Sequence, residues 1–416
     1  MPNLKLIFLK SNQIKYIDEN AFSILTRLEH LYISLNEITQ INQTNFKGLI
    51  SLLLLDLRNN LIESIESDSF LDLFNLIELR LGGNNIKFIA KGVFNGINKL
   101  EILGLGTNSI ETFEKDSFQN LNKLKTLNLP RNKMTILRND SFLIIYGTLS
   151  LPANNIKLIE DNVFKNCTNL TILDISENNI EKINQNTFNG LNTIQSLNIG
   201  NNKIFEIEAN SFNNSIFLTS LNLELNLMNK LNSEIFNGLN RLITLNINSN
   251  ILKELGKNTF KYLIKLQNLY LQNNQIEKIE TNSFNSLDTL ANLDLSSNKL
   301  KRIQTNIFSG FKRPINLNLA NNLIQIIESN SFTNLAGLML NSNQIKVIES
   351  NSFTQIGSIK LDLSNQYLNI LNSNLCSSDC NFTELDLSNN KINELNFINM
   401  PQLLIQSLNL IYSDAF

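Results

Sequence analysis

Leu266-Gln267-Asn268-Leu269-Tyr270-Leu271-Gln272-Asn273-Asn274-Gln275-Ile276 is the stretch that decides the fold. Its frame is Leu-x-x-Leu-x-Leu-x-x-Asn-x-Ile, and the asparagine recurs along the chain. It stands at Asn12, Asn36, Asn60, Asn84, Asn108, Asn132, Asn154, Asn178, Asn202, Asn226, Asn250, Asn274, Asn298, Asn322 and Asn343, and the row continues through Gln366 and Asn390. The step is 24 residues, apart from 22 before Asn154, 21 before Asn343 and 23 before Gln366. The Leu-x-Leu pair has the two-residue period of a strand with one buried face. Each repeat therefore contributes a short strand to a long parallel sheet, with the residues between the leucines facing outward.

Working outward, an aliphatic residue follows each asparagine by five positions (Ile17, Ile41, Ile65, Ile89), with Phe113 replacing it once. Ten positions after the asparagine comes a phenylalanine, from Phe22, Phe46 and Phe70 through to Phe332 and Phe353. Stacked at about one strand spacing, ~4.8 Å, these rings form an aromatic spine, and losing one costs about 3–5 kcal/mol. The asparagine lies between buried aliphatic positions, so its amide must bond the turn's own N–H and C=O groups. Asn36, Asn60, Asn84 and Asn274 carry both donors and acceptors for that role. A glutamine has to fit differently, which makes Gln366 the weak member of the row. Length alone suggests two or three domains. Fixed-period self-similarity instead indicates one array over residues 1–416, of about seventeen repeats with the first and last partial.

This frame resembles the leucine-rich-repeat family, in the 24-residue class with a convex phenylalanine that occurs in Toll-like receptors, Slit and small proteoglycans. The Gly-x-Ile-Pro of the plant class and the longer units of the ribonuclease-inhibitor class are not present. The resemblance implies an α/β solenoid: a horseshoe with a parallel concave β-sheet and a mostly irregular or short-helical convex side. It also implies an extracellular or cell-surface location. Neither end carries the cysteine-rich cap usual in extracellular members, and the chain stops at Phe416 inside a repeat-like Leu408-x-Leu410. The expectation is a piece of a longer protein, since uncapped repeats expose core leucines.

The balance of 35 basic and 37 acidic side chains, net charge −2, gives no bulk attraction to nucleic acid or anionic membrane. No stretch approaches the apolar length of a membrane span. The opening Met1-Pro2-Asn3-Leu4-Lys5-Leu6-Ile7-Phe8-Leu9 is apolar, but Leu4, Ile7 and Leu9 already fall on the repeat template, so it reads as repeat rather than secretion signal. His30 is the one histidine, which excludes sites needing two; it falls on an outward strand position. No metal-protease or Walker motif occurs. Gly104-Leu105-Gly106 lies in a repeat strand and lacks the third glycine of a dinucleotide loop. Asp362 and Asp386 stand on successive strands and read as a solvated polar ladder rather than a cation site. No cofactor, metal or catalytic residue is expected.

Three cysteines are too few for a disulfide framework. Cys376 and Cys380 are close enough to bond, with Cys376 in a phenylalanine slot; a disulfide, the remnant of a cap, or two free thiols are the readings. Cys167 sits in a buried leucine slot as a small core hydrophobe. Glycosylation acceptors occur at Asn42, Asn139, Asn166, Asn169, Asn213 and Asn381, no more than so asparagine-rich a chain produces by chance.

Outward positions give the candidate binding surface. Through the middle they are Asn128, Ser150, Asp174, Asn198, Asn222 and Asn246, small and polar, whereas interface anchors are typically Tyr, Trp and Arg. The first repeats differ, presenting Phe8; His30, Tyr32 and Leu35; Asp56 and Arg58; Glu78 and Arg80; and beside them Gly82, Gly83, Gly104 and Gly106. Glycines on a strand face let another backbone approach, so this is the predicted docking patch. The irregularity between Pro130 and Pro152 reads as a deletion tolerated in a convex loop. The functional expectation is a non-enzymatic surface for a protein or glycoconjugate ligand, receptor-ectodomain-like or secreted. The alternatives are a cytosolic interaction scaffold, or the recognition part of a larger protein whose effector or catalytic domain lies elsewhere.

Overall fold

The computed structural model describes residues 3–139, 141–142, 145–354, 356, 358–369, 375–376, 380–393, 404–405 and 408–409. Leu410 and the chain end at Phe416, on which the expectation of a broken-off repeat rests, lie outside them, as do Met1 and Pro2. The chain forms two compact units, Met1–Leu218 and Thr219–Phe416.

In the first unit, strands Leu6–Phe8, His30–Tyr32, Leu54–Asp56, Glu78–Arg80, Ile102–Gly104, Thr126–Asn128, Thr148–Ser150, Ile172–Asp174 and Ser196–Asn198 each pair in parallel with the next. The second unit repeats the pattern with Ser220–Asn222, Thr244–Asn246, Asn268–Tyr270, Asn292–Asp294, Ile315–Asn318, Leu335–Met339, Ser358–Asp362 and Asn381–Asp386. This is the expected solenoid. In nearly every strand the central leucine is buried and its neighbours are partly open, the alternation that a half-buried strand requires. Two-residue strands such as Gln40–Ile41 and Ser64–Ile65 pair on the far side of the turns. Among the described residues that side is otherwise irregular, and no helix occurs.

The phenylalanines fill the interior next to these turns. Phe46, Phe70, Phe94, Phe164, Phe188 and Phe260 are fully buried. Their rings stack 6.0 Å apart for Phe46 and Phe70 and 6.4 Å for Phe164 and Phe188. That is wider than the strand spacing, so the repeats stand further apart along this row than along the sheet. After Phe353 the slot passes to Cys376, which bridges the Phe353 main chain, and Phe382 closes the stack edge-on at 5.9 Å.

The asparagine amide is spent entirely on main chain. Asn84 Oδ1 accepts from Ile62 N at 3.0 Å, while its Nδ2 donates to Leu57 O at 3.1 Å and Leu81 O at 2.9 Å. Asn274 repeats this with Leu252 N, Ile247 O and Leu271 O, and Asn36 and Asn60 do likewise. Two of the three bonds reach the preceding repeat, so each amide is a rung between turns. Gln366 keeps the acceptor role toward Ile345 N, but donates to Leu340 O and Ser364 O rather than to its own Leu363 O. The deletion before Asn154 leaves the rung intact, through Met134 N and Leu129 O, and strands Thr126–Asn128 and Thr148–Ser150 stay in unshifted register.

Two interior positions depart from the aliphatic frame. Cys167 is fully buried, and burial pushes its thiol up to about 12. Ser215 stands where other repeats place Leu191 or Leu239; it is 0% exposed and its Oγ has no hydrogen-bond partner.

Three outcomes follow for this scaffold. Asn84→Ala strands a buried N–H and weakens two carbonyls, so urea unfolding should show a loss of about 2–4 kcal/mol, against less than about 1 kcal/mol for Asn12→Ala, whose side chain is exposed. Ser215→Ala removes an unsatisfied hydroxyl and should raise stability by about 1 kcal/mol in the same assay. Cys167 should resist a thiol reagent at pH 8 until denaturant is added; rapid labelling of the native protein would contradict its burial.

Candidate functional site

Of the apolar members of the predicted patch, the structure brings Phe8 and Tyr32 into contact. They are register partners on adjacent strands, and their rings stack with centroids 4.9 Å apart and planes 17° from parallel. Phe8 is 67% exposed, so one ring face is open to solvent. Leu6, which the sequence reading passed over, shares this face at 43% exposure. Its signal was available: it alternates with Ile7, a template position, and so points outward. Leu35 is equally exposed and sits in the turn before Asn36 with φ of 56°, a left-handed conformation costly for a branched side chain. Other repeats mostly place asparagine, serine or glycine there, as at Asn59, Gly83 and Ser249. Leu225 in the second unit repeats this arrangement, 50% exposed with φ of 52°, so the turn conformation belongs to the repeat and it is the exposure of Leu35 beside Tyr32 that bears on the patch.

The charged members behave differently from the expectation of outward-facing anchors. Asp56 is buried, and both its oxygens are occupied: Arg58 Nε donates to Oδ1 at 2.9 Å, Arg58 Nη2 to Oδ2 at 2.8 Å, and Arg58 N to Oδ1 at 3.1 Å. Arg80 approaches the same carboxylate at 3.9 Å and donates to Glu78 at 2.7 Å. Burial raises the Asp56 pKa, but the Arg58 bonds and the two guanidinium charges outweigh it and hold the carboxyl below its ordinary value. Arg58 therefore organises the sheet surface more than it offers a free hand to a ligand. His30 is half-buried between Leu6 and Leu54, and its Nδ1 is buried without a partner.

The glycine floor is also partly structural. A Cβ on Gly82 would lie 3.1 Å from Gly106 O, and one on Gly106 would lie 2.8 Å from the Pro130 ring. These two residues are small because the neighbouring repeat presses on them. Gly104 has room for a side chain, with Leu79 O nearest at 3.9 Å. Gly82, Gly83, Gly104 and Gly106 floor a groove of about 450 Å³ walled by Arg58, Glu78 and Arg80.

Elsewhere the sheet face satisfies itself. Glu224 accepts amide hydrogens from Asn222, Asn246 and Asn248. Asn292 donates to Asn268 at 2.7 Å and Asn316 to Asn292 at 3.0 Å, forming an amide ladder. The second unit then opens into a hollow of about 750 Å³, lined among others by Tyr270, Asp294, Met339, Asp362 and Asp386. Sequence reasoning missed this depression because it followed the outward row only as far as Asn246; Tyr270 is the register partner of that residue.

Among the described residues, no group of three His, Cys, Asp or Glu side chains could hold a metal ion. No helix is long and apolar enough to cross a membrane. Cys376 and Cys380 are joined as a disulfide, with Cα atoms 6.3 Å apart.

The Leucine rich repeat family profile matches residues 1–38, 26–86, 74–134, 147–204, 216–276, 241–300, 264–313 and 288–338. No curated protein matches the chain. Among solved structures it is similar to Toll of the Drosophila Toll–Spatzle complex, at TM-score 0.65 and 19% identity, over 94% of this chain and 48% of that one. It thus spans about half the length of that Toll chain. The APL1 leucine-rich repeat domain matches at TM-score 0.64 and 21% identity, over 84% of this chain and 88% of its own. A leucine-rich-repeat protein of Leptospira interrogans matches at TM-score 0.63 and 20% identity, over 97% and 96%. These likenesses establish the fold alone. With the repeat profile spread across most of its length and the asparagine rungs in place, the chain belongs to the leucine-rich-repeat family.

Proposed function

We propose that this protein is a non-enzymatic recognition surface that captures a protein ligand on the exposed face of its first strands, in a receptor-ectodomain-like or secreted setting. The observation that carries the reading is the open Phe8–Tyr32 stack flanked by exposed Leu6 and Leu35. Aromatic and aliphatic side chains held rigid before binding lose little entropy on contact, and such residues dominate interface energetics. The Asp56–Arg58–Arg80–Glu78 chain frames them with a polar rim whose charges are already paired, which suits orientation more than affinity. The leucine-rich-repeat fold is typical of protein-binding receptor ectodomains, and Toll is held in complex with Spatzle in the structure noted above. A protein ligand is favoured over a glycoconjugate because the patch is chiefly apolar, with its polar groups already engaged by one another.

The test places a photo-crosslinking residue at Tyr32 and, separately, at Tyr16, which is 75% exposed among the turns. Presented to medium conditioned by the source cells, the protein should give a discrete, saturable protein adduct from position 32 and not from 16. Phe8→Ser with Leu35→Ser should reduce that adduct at least tenfold while leaving circular dichroism unchanged. Adducts of equal strength at both positions, or insensitivity to the double substitution, would sink the reading. Arg58→Ala should instead act on folding: it strips the buried Asp56 of its main side-chain partner and should lower stability by about 1–3 kcal/mol.

A further inference from the structure

We propose that the hollow in the second unit is a docking site for a cationic, extended peptide segment of a protein partner, lying across the strands with basic side chains about four residues apart. Tyr270, Asp294, Asn318, Met339, Asp362 and Asp386 occupy one register row, one residue per strand. Four carboxylates line the hollow, those of Asp294, Asp362, Glu384 and Asp386, and among the residues whose side chains are described no lysine, arginine or histidine lines it. Lys360 is the register partner of Glu384 and offsets it in the charge count. That leaves three acidic groups on one patch of a chain whose whole net charge is −2. No ion pair engages Asp294, Asp362 or Asp386 among the described residues.

Each of the three carboxylates is also held in place. Asp294, Asp362 and Asp386 accept through Oδ1 from the main-chain N of Ser296, Ser364 and Ser388, at 2.9 Å in each case. For Asp362 and Asp386 the second oxygen has no partner among the described residues. This contrasts with Glu224 on the same face, whose oxygens are filled by three amides. Pinned carboxylates with an unused oxygen attract a basic side chain at little ordering cost.

The floor between the charges is apolar rather than ionic. Met339 is 55% exposed at the centre of the row, and Gly337 beside it has Asn316 Oδ1 only 3.0 Å from where a Cβ would stand. Asp294 and Asp362 are three strands apart, roughly 14 Å at the usual strand spacing, which an extended chain covers in about four residues. A peptide crossing the strands would set one basic residue at Asp294 beside the Tyr270 ring, an apolar one on Met339, and a second basic residue at Asp362 and Asp386.

The site differs in unit and in chemistry from the Phe8–Tyr32 patch, so the two readings can fail separately. The probe is a fluorescein-labelled heptapeptide with arginines at its first and fifth positions and a leucine between them, titrated by anisotropy against the full chain. Its control replaces both arginines by citrulline. The native protein should bind the arginine peptide at least tenfold more tightly than the citrulline one. Asp294→Asn, Asp362→Asn and Asp386→Asn together keep the Oδ1 acceptors and should lose that preference. Removing the same charge as Glu63→Gln, Glu66→Gln and Glu111→Gln should not matter, and nor should Phe8→Ser. Met339→Lys, a substitution at an exposed side chain, should cost at least tenfold by itself. Equal binding of the two peptides, equal loss in both triple variants, no binding by the native protein, or an aspartate-dependent response to calcium chloride but not to the peptide would each overturn the proposal.

Discussion

The amide of one asparagine per repeat is what the remainder of the structure depends on. Each turn leaves main-chain N–H and C=O groups inside the stack, facing neither water nor a strand partner, and a buried group of that kind is expensive to leave unpaired. Asn84 resolves the problem for two turns at once, closing its own through Leu81 O and holding the preceding one through Leu57 O and Ile62 N. Because the side chain is short and buried, it fixes the offset between neighbouring turns. Leucines then meet leucines and phenylalanines stack on phenylalanines without any long-range pairing being specified.

Once the rungs set the spacing, the outward strand positions need not supply it, and chemistry can vary along them. Three solutions occur. In some places the face closes on itself, as when Glu224 gathers three amides or Asn268, Asn292 and Asn316 form a ladder. In others, charges pair internally, as with Asp56 and Arg58. Where neither happens the surface keeps groups that are not satisfied internally, among them Phe8 and Leu35 in the first unit and Asp362, Asp386 and Met339 in the second. This distribution, rather than the number of charged or aromatic residues, is what the two proposed binding surfaces rest on.

Much of this was legible in the sequence, because solenoid packing is local: each repeat touches its neighbours, so a template read from one turn transfers to the next. The Asn rungs, the buried leucines, the phenylalanine row and the outward register all follow from the 24-residue frame. The character of the individual outward residues did not. Asp56 and Arg58 looked like exposed anchors, yet a two-residue separation places their side chains together on one face, where they neutralise each other. Gly82 and Gly106 looked like an open floor, yet the next repeat leans on them.

The sequence by itself determined the architecture, since periodic burial and a repeated amide leave one economical way to stack the turns. It also fixed which side chains face outward, because strand alternation has a period of two. Only the tertiary structure decided which of those side chains remain available. Availability depends on contacts across 24 residues, between Phe8 and Tyr32 or Asp294 and Asn318, whose strength is set by distances of a few ångströms that no pattern of residue types encodes.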